Sequence, residues 1–303
     1  PFLFQRLHDI PDGGRRLGRV EAGPPPVERQ PLAGEGPPAA VGDPHHADVE
    51  GEVAGEVSLL EVDLAAAAKQ GDKLDQETFR TQAQSIAHDY ELFLRNNPNF
   101  ATGYAAYGYW LGKVGMAKEA AAMLLKANQL DPNIPLVKNQ LGNHLAEDGK
   151  PLQAAPYFIA AIKLAPNEPL YHYQLGTLLV EARDEFLKSG EWSRATLDQA
   201  MHHAFQRAAE LAPDRFEFAY RYAESFYDLE RPDWDAALKA WSALEEKAPT
   251  AIERQTMRLH AANICFKLGK RDHATALLAT VDEAGLQAQK QKLIAQLAET
   301  PKK

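Results

Sequence analysis

Residues 101–132 read ATGYAAYGYWLGKVGMAKEAAAMLLKANQLDP, and residues 135–166 read PLVKNQLGNHLAEDGKPLQAAPYFIAAIKLAP. Set in register at a step of 34, Gly108 falls on Gly142, Leu111 on Leu145, Gly115 on Gly149, Ala120 on Ala154, Ala127 on Ala161 and Pro132 on Pro166. Agreement at that many positions marks an internal repeat, and a period of roughly 20–50 residues is the sequence mark of a stacked array. The step continues outward. Closing prolines stand at Pro98, Pro132, Pro166, Pro213 and Pro249, at intervals of 34, 34, 47 and 36 residues.

Local chemistry turns each interval into two helices. Asn99, Asn133, Asn167, Asp214 and Thr250 follow the prolines directly. Each can accept a bond from an unpaired N–H at a helix start, so each is the expected N-cap. Pro135 and Pro169 fall in the first turn, where a missing N–H costs nothing. Gly115, Gly149 and Gly269 stand where a first helix ends and positive φ is needed. Every unit therefore reads helix, tight turn, helix, and the fold class is all-α.

Small residues recur where two such helices must cross. Gly108, Gly142, Gly176, Ala223 and Ala262 hold the eighth position of the first helix, and Ala120, Ala154, Ala237 and Ala274 face them from the second, with Met201 the exception. Close approach, to about 8–10 Å between axes, requires a small crossing point. Leu124, Phe158, Phe205, Trp241 and Leu278 supply the bulk around it. A helix of about 13 residues is marginal alone in water and becomes stable when its neighbours cover the apolar face.

The ends differ from the array. Residues 1–57 hold nine Gly, nine Pro and no Lys. That composition opposes helix and core formation alike, so the segment reads as a disordered tail. A proline-rich ligand, or translated GC-rich DNA outside the native frame, are the other readings; position 1 is not Met. Residues 58–98 read as a degenerate opening pair: a short helix around Leu59, Leu60 and Leu64, then one from Glu77 to Arg95. The array spans 99–282, and 283–303 read as a capping helix and tail. The third unit is 47 residues long against 34, an excess of 13, placed at about 181–199. Ser193 reads as a helix cap flanked by Trp192 and Leu197. Both helices of that unit are expected to be longer by one or two turns.

Composition and motifs bound the chemistry. A formal net charge of -9 gives no footprint for phosphate, so no nucleic-acid partner is expected. No run of about 18 apolar residues is present, so no membrane insertion is expected. One cysteine, Cys265, fits a reducing compartment, with the cytoplasm the expected location. No phosphate-binding loop, dinucleotide fingerprint or nucleophile elbow is present, so neither a cofactor nor catalysis is expected. Asp198 and His202 have the spacing of two ligands on one helix face, and such a pair reads as packing rather than a metal site. Cys265 reads as a small buried hydrophobe.

The unit resembles the tetratricopeptide repeat, whose pattern carries an aromatic at position 4, Leu-Gly at 7–8, Ala at 20, a large apolar residue at 24, Ala at 27 and Pro at 32. Tyr104, Tyr107, Gly108, Ala120, Leu124, Ala127 and Pro132 match in the first clear unit. Leu141, Gly142, Ala154, Phe158, Ala161 and Pro166 match in the second; Leu175, Gly176, Phe205, Ala208 and Pro213 match in the third. The resemblance implies a superhelix of about five repeats whose concave side, lined by first helices, binds peptides or proteins. Positions 2, 5, 6, 9, 12 and 13 then face the groove. They give Tyr109 from the first clear unit, then Asn139, Gln140 and Asn143. Tyr173, Gln174 and Thr177 follow, then Tyr220, Arg221 and Glu224. Amides offer donor and acceptor to a peptide backbone, and tyrosines add flat contact. Ala105 and Tyr109 stand where the carboxylate clamp of some relatives needs Lys and Asn. Glu147, Glu181 and Asp228 share the thirteenth position, an acidic rim suited to a basic ligand. The expected function is a non-catalytic scaffold for a protein or peptide partner. The alternative is the repeat segment of a larger enzyme or secretion and assembly component.

Overall fold

The computed structural model describes residues 76–299. The expected tail and the helix around Leu59 lie outside the described residues. Helix α1 runs Gln76–Asn96. The first clear unit is α2 (Ala101–Lys113) and α3 (Ala117–Leu130); the second is α4 (Pro135–Glu147) and α5 (Pro151–Leu164). The third holds α6 (Pro169–Glu181), α7 (Arg183–Lys188) and α8 (Arg194–Leu211). The fourth is α9 (Phe216–Ser225), a 3-10 turn (Phe226–Asp228) and α10 (Trp234–Lys247). Then come α11 (Ala251–Lys267), α12 (Arg271–Ala279), a second 3-10 turn (Ala284–Leu286) and α13 (Gln287–Glu299). Among the described residues there is no strand.

The helices nest in chain order. Within units α2 packs on α3, α4 on α5, α6 on α8, and α11 on α12; between units α3 meets α4, α5 meets α6, α8 meets α9, and α10 meets α11. The seam follows the small residues. A Cβ added at Gly108 would stand 2.8 Å from Leu124 Cγ; at Gly142, 3.0 Å from Phe158 Cε1; at Gly176, 2.8 Å from Phe205 Cε1. Ala120, Ala154, Ala237 and Ala274 are fully buried opposite, and Met201 takes the same depth in the third unit. The inter-helix glycines serve another purpose. Gly115 and Gly149 adopt φ +83° and +71° with open space where a side chain would lie, so only their backbone matters.

Two expectations need correction. The N-caps of α2, α4, α6 and α9 are Phe100, Ile134, Glu168 and Arg215, one residue beyond the asparagines and aspartate. Pro-Asn or Pro-Asp instead forms the centre of a tight turn, closed by Phe100 N–H to Asn97 O, Glu168 N–H to Ala165 O, and Arg215 N–H to Ala212 O. Proline presets the first central residue of such a turn and Asn or Asp suits the second, which leaves them too early to cap. Thr250 does cap α11, in a reciprocal box with Glu253.

The insertion also differs. Helix α6 stops at 13 residues, like α4, while α8 reaches 18 against 14 in α5. Only the second helix of the unit is lengthened. The chain bends at Ala182, and α7 folds back on α5 and α8. A straight extension would leave Phe186 in water; the bend buries it, with Trp192 edge-on at 5.7 Å. Ser193 caps α8 in a box with Thr196, and Trp192 and Leu197 enter the same apolar cluster.

These two glycine classes respond differently to alanine. Gly176→Ala should lose about 1–2 kcal/mol in urea unfolding, overpacking against Phe205 exceeding the helix-propensity gain. Phe205→Leu in the same chain should recover part of it. Gly149→Ala should lose about 1 kcal/mol, and Phe158→Leu should recover none of that.

Candidate functional site

First helices α2, α4, α6 and α9 carry the expected groove residues, at three depths. Tyr109, Gln140, Asn143, Gln174, Thr177 and Glu224 are half-buried. The Lys113 ammonium lies 5.0 Å above the Tyr109 ring. Tyr173 is half-buried too, tilted on Phe218 at 4.8 Å and edge-on to Phe205 at 5.8 Å. Its hydroxyl donates to Glu217 Oε1 at 2.7 Å, a bond from α6 to α9 that crosses between units. Burial, and then Glu217, push that hydroxyl up to about 12, so it stays a donor at neutral pH.

Three residues lie deeper than the sequence reading put them. Asn139 is fully buried, Tyr220 is 8% exposed and Arg221 is 9% exposed. The fifth position of the repeat explains two of them: Ala105, Asn139, Tyr220 and Leu259 hold it in the first, second, fourth and fifth units and are buried, and Tyr173 holds it in the third, half-buried. That position points towards the next unit rather than into open groove. Tyr220 packs edge-on to Trp241 at 5.3 Å. Arg221 is drawn in by two partners: its guanidinium lies 4.8 Å over Phe205, and it pairs with Glu224.

Unpaired amides stand at the centre. Neither Nδ2 nor Oδ1 of Asn139 has a hydrogen-bond partner, and Gln174 Oε1 is buried without one. A buried polar atom left unpaired costs about 1–3 kcal/mol. Gln140 and Gln174 hold the same register on α4 and α6, with Asn143 and Thr177 one turn further on.

Known structures share the fold that carries these residues. The chain resembles the crystal structure of YrrB, titled a TPR protein with an unusual peptide-binding site, at a TM-score of 0.55 and 20% identity, covering 70% of this chain and 98% of that one. It also resembles Pseudomonas aeruginosa PilF, at a TM-score of 0.50 and 16% identity, covering 80% of this chain and 98% of that one. The chain has the tetratricopeptide-repeat (TPR) fold. No family model and no curated protein sequence matches it.

Two further polar loci lie in the TPR array outside those ten residues. At the insertion, Asp198 is 1% exposed and is met by Arg194 Nε at 2.6 Å and Arg183 Nη2 at 3.2 Å. Arg183 also reaches Asp228 at 2.8 Å, tying the third unit to the fourth. Burial pushes the Asp198 carboxyl above its usual range against the pull of both arginines. His202 spends its Nδ1 on Ser225 Oγ at 2.8 Å and lies edge-on to Phe226. The Asp198 and His202 pair is thus engaged in packing. Among the described residues no group of three or more His, Cys, Asp or Glu side chains could hold a metal ion. Cys265 is fully buried, and burial pushes its thiol up.

The second locus is His260, stacked flat on Trp241 at 3.9 Å with Nδ1 3.2 Å from the Tyr227 hydroxyl. Neither this arrangement nor the bridging role of Arg183 between units has a signal in the repeat pattern. Glu217 was within reach, since it holds the second position of its helix.

Burial lowers His260 from its ordinary 6.5 to about 3. Between those values the unfolded chain holds a proton that the fold rejects. Stability from this group is therefore intact above pH 6.5 and falls as pH drops towards 3. Urea unfolding at pH 7 and pH 4.5 should show His260→Phe losing less stability on acidification than the parent, by on the order of 2 kcal/mol. Asn139→Leu, which removes two unpaired buried atoms at similar size, should raise the urea midpoint at pH 7 by the equivalent of about 1 kcal/mol or more.

Proposed function

We propose that this TPR array is a non-catalytic scaffold that binds an extended segment of a partner protein along the inner helices α2, α4, α6 and α9. The observation that supports it is the amide pair Gln140 and Gln174, one unit apart at one register, with Gln174 Oε1 buried and unpaired. An extended peptide repeats its N–H and C=O groups at a fixed rise, and amides can answer both. Tyr109 and Tyr173 flank the pair with aromatic surface, which gains contact area at little entropic cost. Half-burial suits this role, because the side chains are already held by their neighbours and lose less freedom on binding. No helix among the described residues is long and apolar enough to cross a membrane.

Selection of 12-residue peptides from a display library against the full chain supplies the ligand for a test. Gln140→Ala, Asn143→Ala and Gln174→Ala combined should weaken the selected peptide at least tenfold with the melting temperature nearly unchanged. Equal affinity for parent and variant would overturn the assignment of the groove.

A further inference from the structure

Two consecutive first helices end on a charge that their own backbone disfavours. Helix α4 closes on Glu147 and α6 on Glu181. A helix C-terminus carries partial negative charge and favours a cation there. The outlying units follow that rule: α2 ends on Lys113 and α11 on Lys267. In the fourth unit the acid at this register, Asp228, is met by Arg183 at 2.8 Å. Glu147 and Glu181 are not so provided. The Glu147 side chain is 74% exposed, with the imidazole of His144 at 4.0 Å beside it. Glu181 is exposed and joins no ion pair among the described residues.

The surroundings add to the negative charge. Glu217, 58% exposed, stands at the inner side of α9, where it accepts the Tyr173 hydroxyl and has the Arg215 guanidinium 4.0 Å away. The one cation at the inner positions of α4, α6 and α9 is Arg221, which is buried and paired with Glu224. Helix-end rules broken at two equivalent sites, while the first and fifth units keep a lysine at that register, are the pattern expected of a binding surface rather than of a stability device. The buried, unpaired Gln174 Oε1 lies on one of the same two helices, α6.

We propose that the edge where α4 and α6 end reads lysine or arginine side chains. The ligand is a basic, extended segment of a partner protein, its cations set against Glu147 and Glu181 and its backbone along Gln140 and Gln174. This rests on the groove reading above and names the chemistry of its ligand. A cation placed there relieves the two carboxylates and the two helix ends together, and these contacts weaken with salt.

The test uses the full chain and a fluorescent Ac-(Lys-Ala)5-NH2 peptide, whose alternation puts every lysine on one side of an extended strand. The Nε-acetylated form of the same peptide is the uncharged control. Anisotropy should show the lysine peptide binding at least tenfold tighter than the acetylated one, with affinity falling as salt rises. Glu147→Gln with Glu181→Gln should weaken it at least tenfold and leave the melting temperature unchanged or raised. Glu119→Gln with Glu246→Gln alters net charge equally at two exposed sites on α3 and α10, and should change affinity less than twofold. Equal losses in the two double variants, or none in the first, would overturn the proposal. If the first double variant is silent while the display-selected peptide still requires Gln140 and Gln174, the ligand class fails and the groove stands. If it weakens binding but Gln140→Ala with Gln174→Ala does not, the cation site stands and the groove reading fails.

Discussion

A bare α-carbon set against a ring or a leucine is the contact on which this molecule depends. At Gly176 and Gly108 there is no room for a Cβ beside Phe205 and Leu124, and at Gly142 a Cβ would press tightly on Phe158. The close approach lets two short helices bury one another, and the pair then presents an apolar flank that the next pair covers. Stability is thereby shared along the stack. First helices line one side of it by the same logic, because each second helix is committed to the seam. The inner surface is a by-product of packing, and its side chains are open to another use.

The third and fourth units show how far such a stack can bend its own rules. An insertion that could have projected into water instead folds α7 back, buries Phe186, and sends Arg183 across to Asp228. A buried carboxylate held by two guanidiniums stabilises little by itself, since desolvation offsets most of the attraction. It does fix one arrangement of the third unit against the fourth. The Tyr173 hydroxyl on Glu217 spans the same junction on the inner side. Two contacts, Tyr173 to Glu217 and Arg183 to Asp228, thus tie the third unit to the fourth.

The fold was largely legible in the sequence because its cause is periodic. Glycine at one register, alanine at another and proline at the unit boundary each answer a steric demand that recurs every unit. Caps were misplaced by one residue because turn and cap compete for the same residue types, and Pro-Asn satisfies the turn first. The candidate site was less legible. Periodicity located the inner helices, but the depth of a side chain depends on what faces it from the next unit. Nothing in the chain order announces that Arg221 lies over Phe205, or that His260 stacks on Trp241. The acidic register of Glu147 and Glu181 could be read from the sequence. That Asp228 is neutralised, and they are not, required the structure.

The central claim is that unpaired inner amides mark where a partner's backbone lies. A crystal structure of the full chain with a tightly bound selected peptide tests it most directly. The account predicts an extended peptide across α4 and α6, with a backbone N–H donated to Gln174 Oε1. A peptide seated on the outer helices α3 and α5, or on the α7 insertion with those amides untouched, would contradict it.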